Sequence, residues 1–253
     1  MKINARICMA SAAQIERHVL PNAGAAARVV AEWLLERALA VEGTPALCLA
    51  GGNTPRLVYE ILADPPLRDR FPWARVHWFF GDERVVPHDN VRSNYHMVRA
   101  ALFDRAPIPP ENIHPVATES GNAVEAATAY EAELKKFYGS DRLAANRSLF
   151  AATLLGLGND GHTASLFPGN PVLAERKRWA VGVSDPSVPE PRVTLTIPIL
   201  ESSGEIAFLV TGAEKNAIVA QLAQNDELPA ARIHPAGRLR WFLDRAAASA
   251  AAR

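Results

Sequence analysis

The chain predicts a mostly parallel β-sheet sandwiched by helices, an α/β fold, on three observations. Short apolar runs alternate with helix-period segments along most of its length. Four of those runs end in a glycine turn: Gly51-Gly52, Gly81, Gly156-Leu157-Gly158 and Gly212. Titratable residues cluster just after the same turns: Asp82, Glu83 and Arg84, then Asp160 and His162, then Lys215. In a parallel sheet the C-terminal strand ends lie along one edge, so the four turns converge on one crevice.

Taken in order, residues 25–40 read as an amphipathic helix, with Val29, Val30, Trp33, Leu34 and Ala38 at helical spacing. Residues 46–50 form a short apolar strand. Gly51-Gly52-Asn53-Thr54-Pro55 is a turn into a helix over 56–62, with Thr54 as N-cap and Pro55 at the first helical position. Residues 76–80 are the next strand, and 93–103 look helical. Residues 107–115 are a proline-rich extended connection. Residues 123–137 are a helix, because Val124, Ala127, Tyr130, Leu134 and Phe137 share a face and Glu131–Lys135 is an i,i+4 pair. A buried strand follows at 149–155. The alternating stretch 193–197 predicts a half-exposed strand. Residues 206–210 are a buried strand, 213–224 a helix, and 241–252 an alanine-rich tail helix. No internal repeat or low-complexity linker divides the chain, so residues 1–253 are expected to form a single domain.

Composition narrows the function. Apolar residues make up 49% of the 253-residue chain, enough for a sizeable core. Lys+Arg and Asp+Glu are equal at 27 each, which argues against a nucleic-acid coat or a polybasic membrane anchor. Cys8 and Cys48 show no metal or redox spacing and read as buried reduced thiols. Gln14, Glu16, Arg17 and His18 interrupt any apolar leader, so a cytoplasmic protein is expected.

The segment Gly156-Leu157-Gly158-Asn159-Asp160-Gly161-His162-Thr163-Ala164-Ser165-Leu166-Phe167-Pro168 carries the most information. Gly156, Gly158 and Gly161 match the dinucleotide pattern G-x-G-x-x-G, but that fingerprint needs a long helix opening on the pyrophosphate. Pro168-Gly169 stops any helix within two turns, and Asp160 would repel the phosphates. The turn instead suits proton chemistry: a carboxylate two residues away can orient His162 and hold it basic. The remaining histidines show no ligand spacing, Ser165 lacks a nucleophile elbow, and no metal or cofactor is expected.

The other turns suit an anion. The amides of Gly51, Gly52, Asn53 and Thr54 stand at a helix N-terminus, which favours phosphate; a capped helix alone explains them equally well. Arg84 suits a bidentate phosphate clamp, and Asp82 or Glu83 suits sugar hydroxyls; a solvated charged turn is the bland alternative. Lys215 opposes the dipole of the helix it opens, and a bound anion would offset that. Arg192, before the strand at 193–197, is a further candidate cation, with a surface arginine as its bland alternative.

These residues resemble a known family. Leu49-Ala50-Gly51-Gly52-Asn53-Thr54-Pro55, Gly81-Asp82-Glu83-Arg84-Val85-Val86-Pro87, Ser93-Asn94-Tyr95 and the segment 156–168 are similar, in order and spacing, to the 6-phosphogluconolactonases. Trp241-Phe242-Leu243-Asp244-Arg245-Ala246-Ala247-Ala248 is similar too, so the likeness spans about 46–248. The resemblance implies a Rossmann-like fold of the sugar-phosphate isomerase/deaminase superfamily. It implies hydrolysis of 6-phospho-D-glucono-1,5-lactone to 6-phosphogluconate, the second step of the oxidative pentose phosphate pathway. The expected partner is a small sugar-phosphate lactone, and either a monomer or a small homo-oligomer fits the sequence. The rival is a glucosamine-6-phosphate deaminase, whose similar turn carries a catalytic Glu five residues after the His; here that position is Phe167. Deaminases also tend to have Asp-Glu-Tyr where this chain has Asp82-Glu83-Arg84. A non-catalytic sugar-phosphate-binding protein is the third reading. For the lactonase, His162 is expected to deprotonate a water and Asp160 to orient His162. The 6-phosphate would sit on the 51–54 amides with Arg84, Lys215 and Arg192 around it.

Overall fold

The computed structural model describes residues 14–222 and 224–248. Cys8 lies outside them, as do residues 249–252 of the expected tail helix. The described chain opens with β1 (Gln14–Leu20) and α1 (Ala23–Ala40). Asn22 caps α1, its Oδ1 accepting the Ala25 amide at 2.9 Å, which satisfies one of the orphan donors of the first turn. Then come β2 (Ala46–Leu49), α2 (Asn53–Leu62), α3 (Leu67–Arg70), β3 (His77–Phe80), β4 (Asp82–Arg84), α4 (Asn94–Val98) and α5 (Ala123–Tyr138). The second half runs β5 (Phe150–Leu155), β6 (Ala180–Val183), β7 (Arg192–Leu195), α6 (Ile197–Glu201), β8 (Ser203–Val210), α7 (Asn216–Leu222), β9 (Arg238–Asp244) and α8 (Arg245–Ala248).

Six strands form one parallel sheet in the order β1-β9-β8-β5-β2-β3. Alternation along each strand sends side chains to opposite faces, and both faces are covered. Leu47, Leu49, Trp78, Phe80, Leu154 and Leu209 pack on one side with α1, α2 and α3. Cys48, Phe79, Phe150, Leu155, Phe208 and Val210 pack on the other, with α5 and a second sheet. Burial pushes the Cys48 thiol far above the usual cysteine range, consistent with an inert core thiol. The fold is therefore the mostly parallel, helix-sandwiched sheet that the sequence predicts. The strands before the four glycine turns, β3, β2, β5 and β8, are consecutive neighbours in it. Among the described residues no helix is long and apolar enough to cross a membrane.

Several elements differ from expectation. Asp82-Glu83-Arg84 is a strand rather than a turn: β4 pairs antiparallel with β7, which pairs antiparallel with β6 in a second, three-stranded sheet. The stretch 193–197 is accordingly buried, with Val193, Thr194, Leu195 and Thr196 all at 0% exposure. Its threonines tolerate burial because each hydroxyl is bonded: Thr194 Oγ1 accepts the Ser165 amide at 3.2 Å, and Thr196 Oγ1 donates to the Arg178 carbonyl at 2.8 Å. Residues 241–244 belong to β9, between β1 and β8, so the tail helix starts only at Arg245. The helix expected over 93–103 splits into α4 and a π-helical turn, Arg99–Phe103. The helix expected over 213–224 opens as a 3-10 turn, Ala213–Lys215, before α7. α2 starts at Asn53 with Gly52 as its cap at φ 99°, not at Thr54. The Thr54 hydroxyl instead meets Thr211 Oγ1 at 3.1 Å, joining the ends of β2 and β8.

Candidate active site

Two buried tyrosines set the strand ends that frame the site. Tyr59 on α2 donates its hydroxyl to the Ala50 carbonyl at 2.7 Å and accepts the Ala50 amide at 3.0 Å. Tyr130 on α5 does the same for Phe80, donating at 3.0 Å and accepting at 2.7 Å. Each satisfies the backbone of a residue where pairing in the sheet ends, so the glycine turns leave from fixed points. Those turns and the 3-10 turn after β8 line a cavity of about 540 Å³.

One wall of the cavity is the segment after β5. His162 Nδ1 lies 2.6 Å from Asp160 Oδ1, and the same oxygen accepts the His162 amide at 3.1 Å. The turn is closed by the Gly158 amide donating to the His162 carbonyl at 2.8 Å and by Thr163 Oγ1 donating to the Gly156 carbonyl at 2.9 Å. Gly158 is required here, because a Cβ would stand 2.1 Å from His162 Nδ1 and 2.6 Å from Asp160 Oδ1. A carboxylate at Nδ1 takes that N–H, which leaves the Nε2 lone pair to accept a proton. The Phe167 ring, buried, stands 4.9 Å from the imidazole, centroid to centroid.

The same cavity gathers cations. Arg84 and Arg192 are direct cross-strand partners on β4 and β7, and both line the cavity with Lys215. Arg84 Nη1 donates to the Arg92 carbonyl at 2.6 Å. Arg192 lies 3.9 Å from Asp82 Oδ2 and 3.9 Å from Glu190 Oε2. Burial works against the Arg192 charge and Asp82 favours it, while Arg84 opposes it. The Nε atoms of Arg84 and Arg192 are buried without a hydrogen-bond partner in the structure. Lys215 Nζ donates to Asn159 Oδ1 at 2.7 Å. Burial lowers the Lys215 pKa below the ordinary lysine value, with Glu214 and Asp160 opposing the shift.

The structure brings Gly51, Gly52, Asp82, Arg84, Asp160, His162, Arg192 and Lys215 to one cavity. Asn53 and Thr54 are not in its lining; they form the start of α2 behind Gly52. Glu83 corrects the expectation of a sugar contact. It is 1% exposed and turned away, accepting the amides of Arg84, Asn94 and Tyr95 at 2.7 Å each and the Ser93 hydroxyl at 3.0 Å. Its carboxylate thus satisfies the N-terminus of α4. Burial pushes its pKa up, against the lowering by those amides. Asp82 is a junction, accepting Ser165 Oγ–H at 2.6 Å and Asn94 Nδ2–H at 3.2 Å while facing Arg192. Sequence reasoning did not single out Asn94 or Asn159. Asn94 packs so close to Gly51 that a Cβ there would fall 1.9 Å from its Oδ1. Only the adjacency of the Ser93-Asn94-Tyr95 motif to the Asp82 motif hinted at it.

The molecule is an α/β protein whose strand-end cavity combines two arginines, a lysine and glycine turns with a carboxylate-oriented imidazole. The chain belongs to the glucosamine-6-phosphate isomerases/6-phosphogluconolactonase family, whose model matches residues 21–241. It is 40% identical over 218 residues to a 6-phosphogluconolactonase of Synechocystis sp., covering 84% of this chain and 87% of that one. The crystal structure of the Thermotoga maritima 6-phosphogluconolactonase superposes with a TM-score of 0.77 at 31% identity, over 91% of this chain and 100% of that one. A monomeric glucosamine-6-phosphate deaminase superposes with a TM-score of 0.76 at 20% identity, over 94% of this chain and 99% of that one, a likeness of fold alone. Overall shape therefore does not separate the two activities, and individual residues must.

Proposed function

We infer that the chain is a 6-phosphogluconolactonase, hydrolysing 6-phospho-D-glucono-1,5-lactone to 6-phosphogluconate. Relatives 40% and 38% identical over 218 residues bear that name. The observation that carries the chemistry is the 2.6 Å contact of Asp160 with His162 Nδ1, in one cavity with Arg84, Arg192 and Lys215. A lactone is an activated ester, so water suffices as nucleophile. With its Nδ1–H donated to the Asp160 carboxylate, neutral His162 takes a proton from water at Nε2 and becomes imidazolium as the oxygen attacks C1. The tetrahedral oxyanion is stabilised by glycine-turn amides and the cavity's positive charge. The C1–ring-oxygen bond then breaks, and the imidazolium returns its proton to the departing oxygen.

The phosphate lies on the amides around Gly51 and Gly52, with Arg84, Lys215 and Arg192 supplying charge-assisted hydrogen bonds. Asp82 acts by holding Ser165, Asn94 and Arg192 in place. Phe167 speaks against the deaminase, since a buried ring packs on His162 where deaminases carry a carboxylate. The test is lactone disappearance with purified protein against the spontaneous rate, beside ammonia release from glucosamine 6-phosphate. Accelerated lactone loss without ammonia is expected; ammonia release, or lactone loss at the spontaneous rate, overturns the assignment.

A further inference from the structure

Arg84 and Arg192 pose an electrostatic problem. Directly opposed like charges on antiparallel strands repel. Arg84 is among the groups that disfavour the Arg192 charge. Something other than substrate must hold the two guanidinium groups together before a phosphate arrives. Asp82 faces Arg192 at 3.9 Å but is already bonded to Ser165 and Asn94. The remaining contacts lead outward from the cavity to two residues that do not line it, Arg92 and Glu190.

We propose that the Arg92–Glu190 ion pair is a buckle that positions both cavity arginines for the substrate's phosphate. This rests on the reading that Arg84 and Arg192 bind that phosphate. Arg92 stands on the loop from β4 to α4, and Glu190 on the loop from β6 to β7. Arg92 Nη1 pairs with Glu190 Oε1. Each partner then holds one cavity arginine. The Arg92 carbonyl accepts Arg84 Nη1 at 2.6 Å, and Glu190 Oε2 faces Arg192 Nη2 at 3.9 Å. Glu190 is only 8% exposed, and a carboxylate that buried is costly unless cations surround it. The buckle also fixes the loop that supplies Ser187 and Val188 to the cavity wall. Pro186, Pro189 and Pro191 restrict that loop's backbone, so the pair locks a short, stiff strap. Holding two long side chains ready in this way removes an ordering cost from phosphate binding.

The role is one of positioning, and it predicts a substrate-dependent signature. Glu190→Gln and Arg92→Met should each raise KM for the phosphorylated lactone roughly three- to tenfold, leaving kcat within about twofold. Both should leave kcat/KM for unphosphorylated glucono-1,5-lactone unchanged. The double variant should be no worse than the weaker single one, because the two act as a unit. Equal losses on both lactones with a lowered Tm would reduce the pair to a fold contact and overturn the proposal. Unchanged KM on both would also overturn it. Arg84→Ala, assayed alongside, distinguishes a failed buckle from a failed phosphate site. If it raises KM only for the phosphorylated lactone while Glu190→Gln does nothing, the phosphate site stands and the buckle falls. If it fails to distinguish the lactones, the phosphate reading falls and takes the buckle with it.

Discussion

His162 is held within one turn, whereas the cavity's cations draw their supports from several separate segments of the chain. Asp160, Gly158 and Gly156 lie within six residues of His162 and supply its carboxylate, its close backbone approach and the turn's closing bonds. Arg84 leans on Arg92, Arg192 sits between Asp82 and Glu190, and Lys215 reaches Asn159. A local turn fixes one group tightly and fails with one substitution. A distributed set of charges shares a single anion and loses binding in steps. The difference matches the two tasks, since proton transfer demands tight geometry and a phosphate can accept donors from many directions.

The largest effects should therefore come from the turn. His162→Ala is expected to lower kcat/KM by about 10²–10⁴, the usual worth of a positioned general base, with little change in Tm because the ring is half-exposed. Steady-state lactone hydrolysis after subtraction of the spontaneous rate measures it; near wild-type turnover would remove His162 from the mechanism. Gly158→Ala should approach the same loss without touching a functional group, because the new methyl occupies the place of the imidazole and its carboxylate. A fully active Gly158→Ala enzyme would show that the turn is softer than its geometry says.

Next in size comes the cationic end. Removing one charge-assisted donor costs about 1.5–3 kcal/mol, so Arg84→Ala should raise KM for the phosphorylated lactone roughly 10- to 100-fold while kcat moves little. Comparing phosphorylated and unphosphorylated lactones reads the effect directly. A fall in kcat with KM unchanged would place Arg84 at the reacting carbonyl instead of the phosphate and break the division between the two ends.

The same division governs what the sequence disclosed. The turn was legible because the contacts that set His162 are short-range: glycine spacing, the Asp-to-His offset and the stop at Pro168 are properties of one segment. The parallel strands were legible from apolar runs and their glycine ends, as was their convergence at one edge. The antiparallel sheet was not, because β4 is three residues of charge, and its strand character comes from pairing with β7 more than 100 residues later. That pairing also turned Glu83 inward to cap α4 and placed Arg192 opposite Arg84. The alanines that follow Asp244 at once give 241–252 a helical pattern, and only the place of β9 between β1 and β8 makes Trp241–Asp244 a strand. Asn94 and Asn159 stand in motifs that say nothing of their partners, and only tertiary structure brings them to Gly51 and Lys215.

The smallest and most diagnostic effect belongs to Lys215, which bridges the two ends by touching the His162 turn through Asn159. Burial lowers its pKa, with Glu214 and Asp160 opposing the shift, so its ammonium discharges at lower pH than that of an exposed lysine. Below the lowered pKa the charge is present and phosphate binds; as pH rises through it the charge is lost and KM climbs. A bound phosphate dianion favours the ammonium, so the alkaline limb of kcat should lie at higher pH than that of kcat/KM. Lys215→Gln should raise KM by only a few-fold at neutral pH, since Arg84 and Arg192 remain, and should abolish the alkaline rise in KM. Lactone hydrolyses spontaneously in base, so the profile needs that background subtracted at each pH. An alkaline limb that survives in Lys215→Gln would assign the titration to another group and leave the lysine a role only in bracing Asn159 on the catalytic turn.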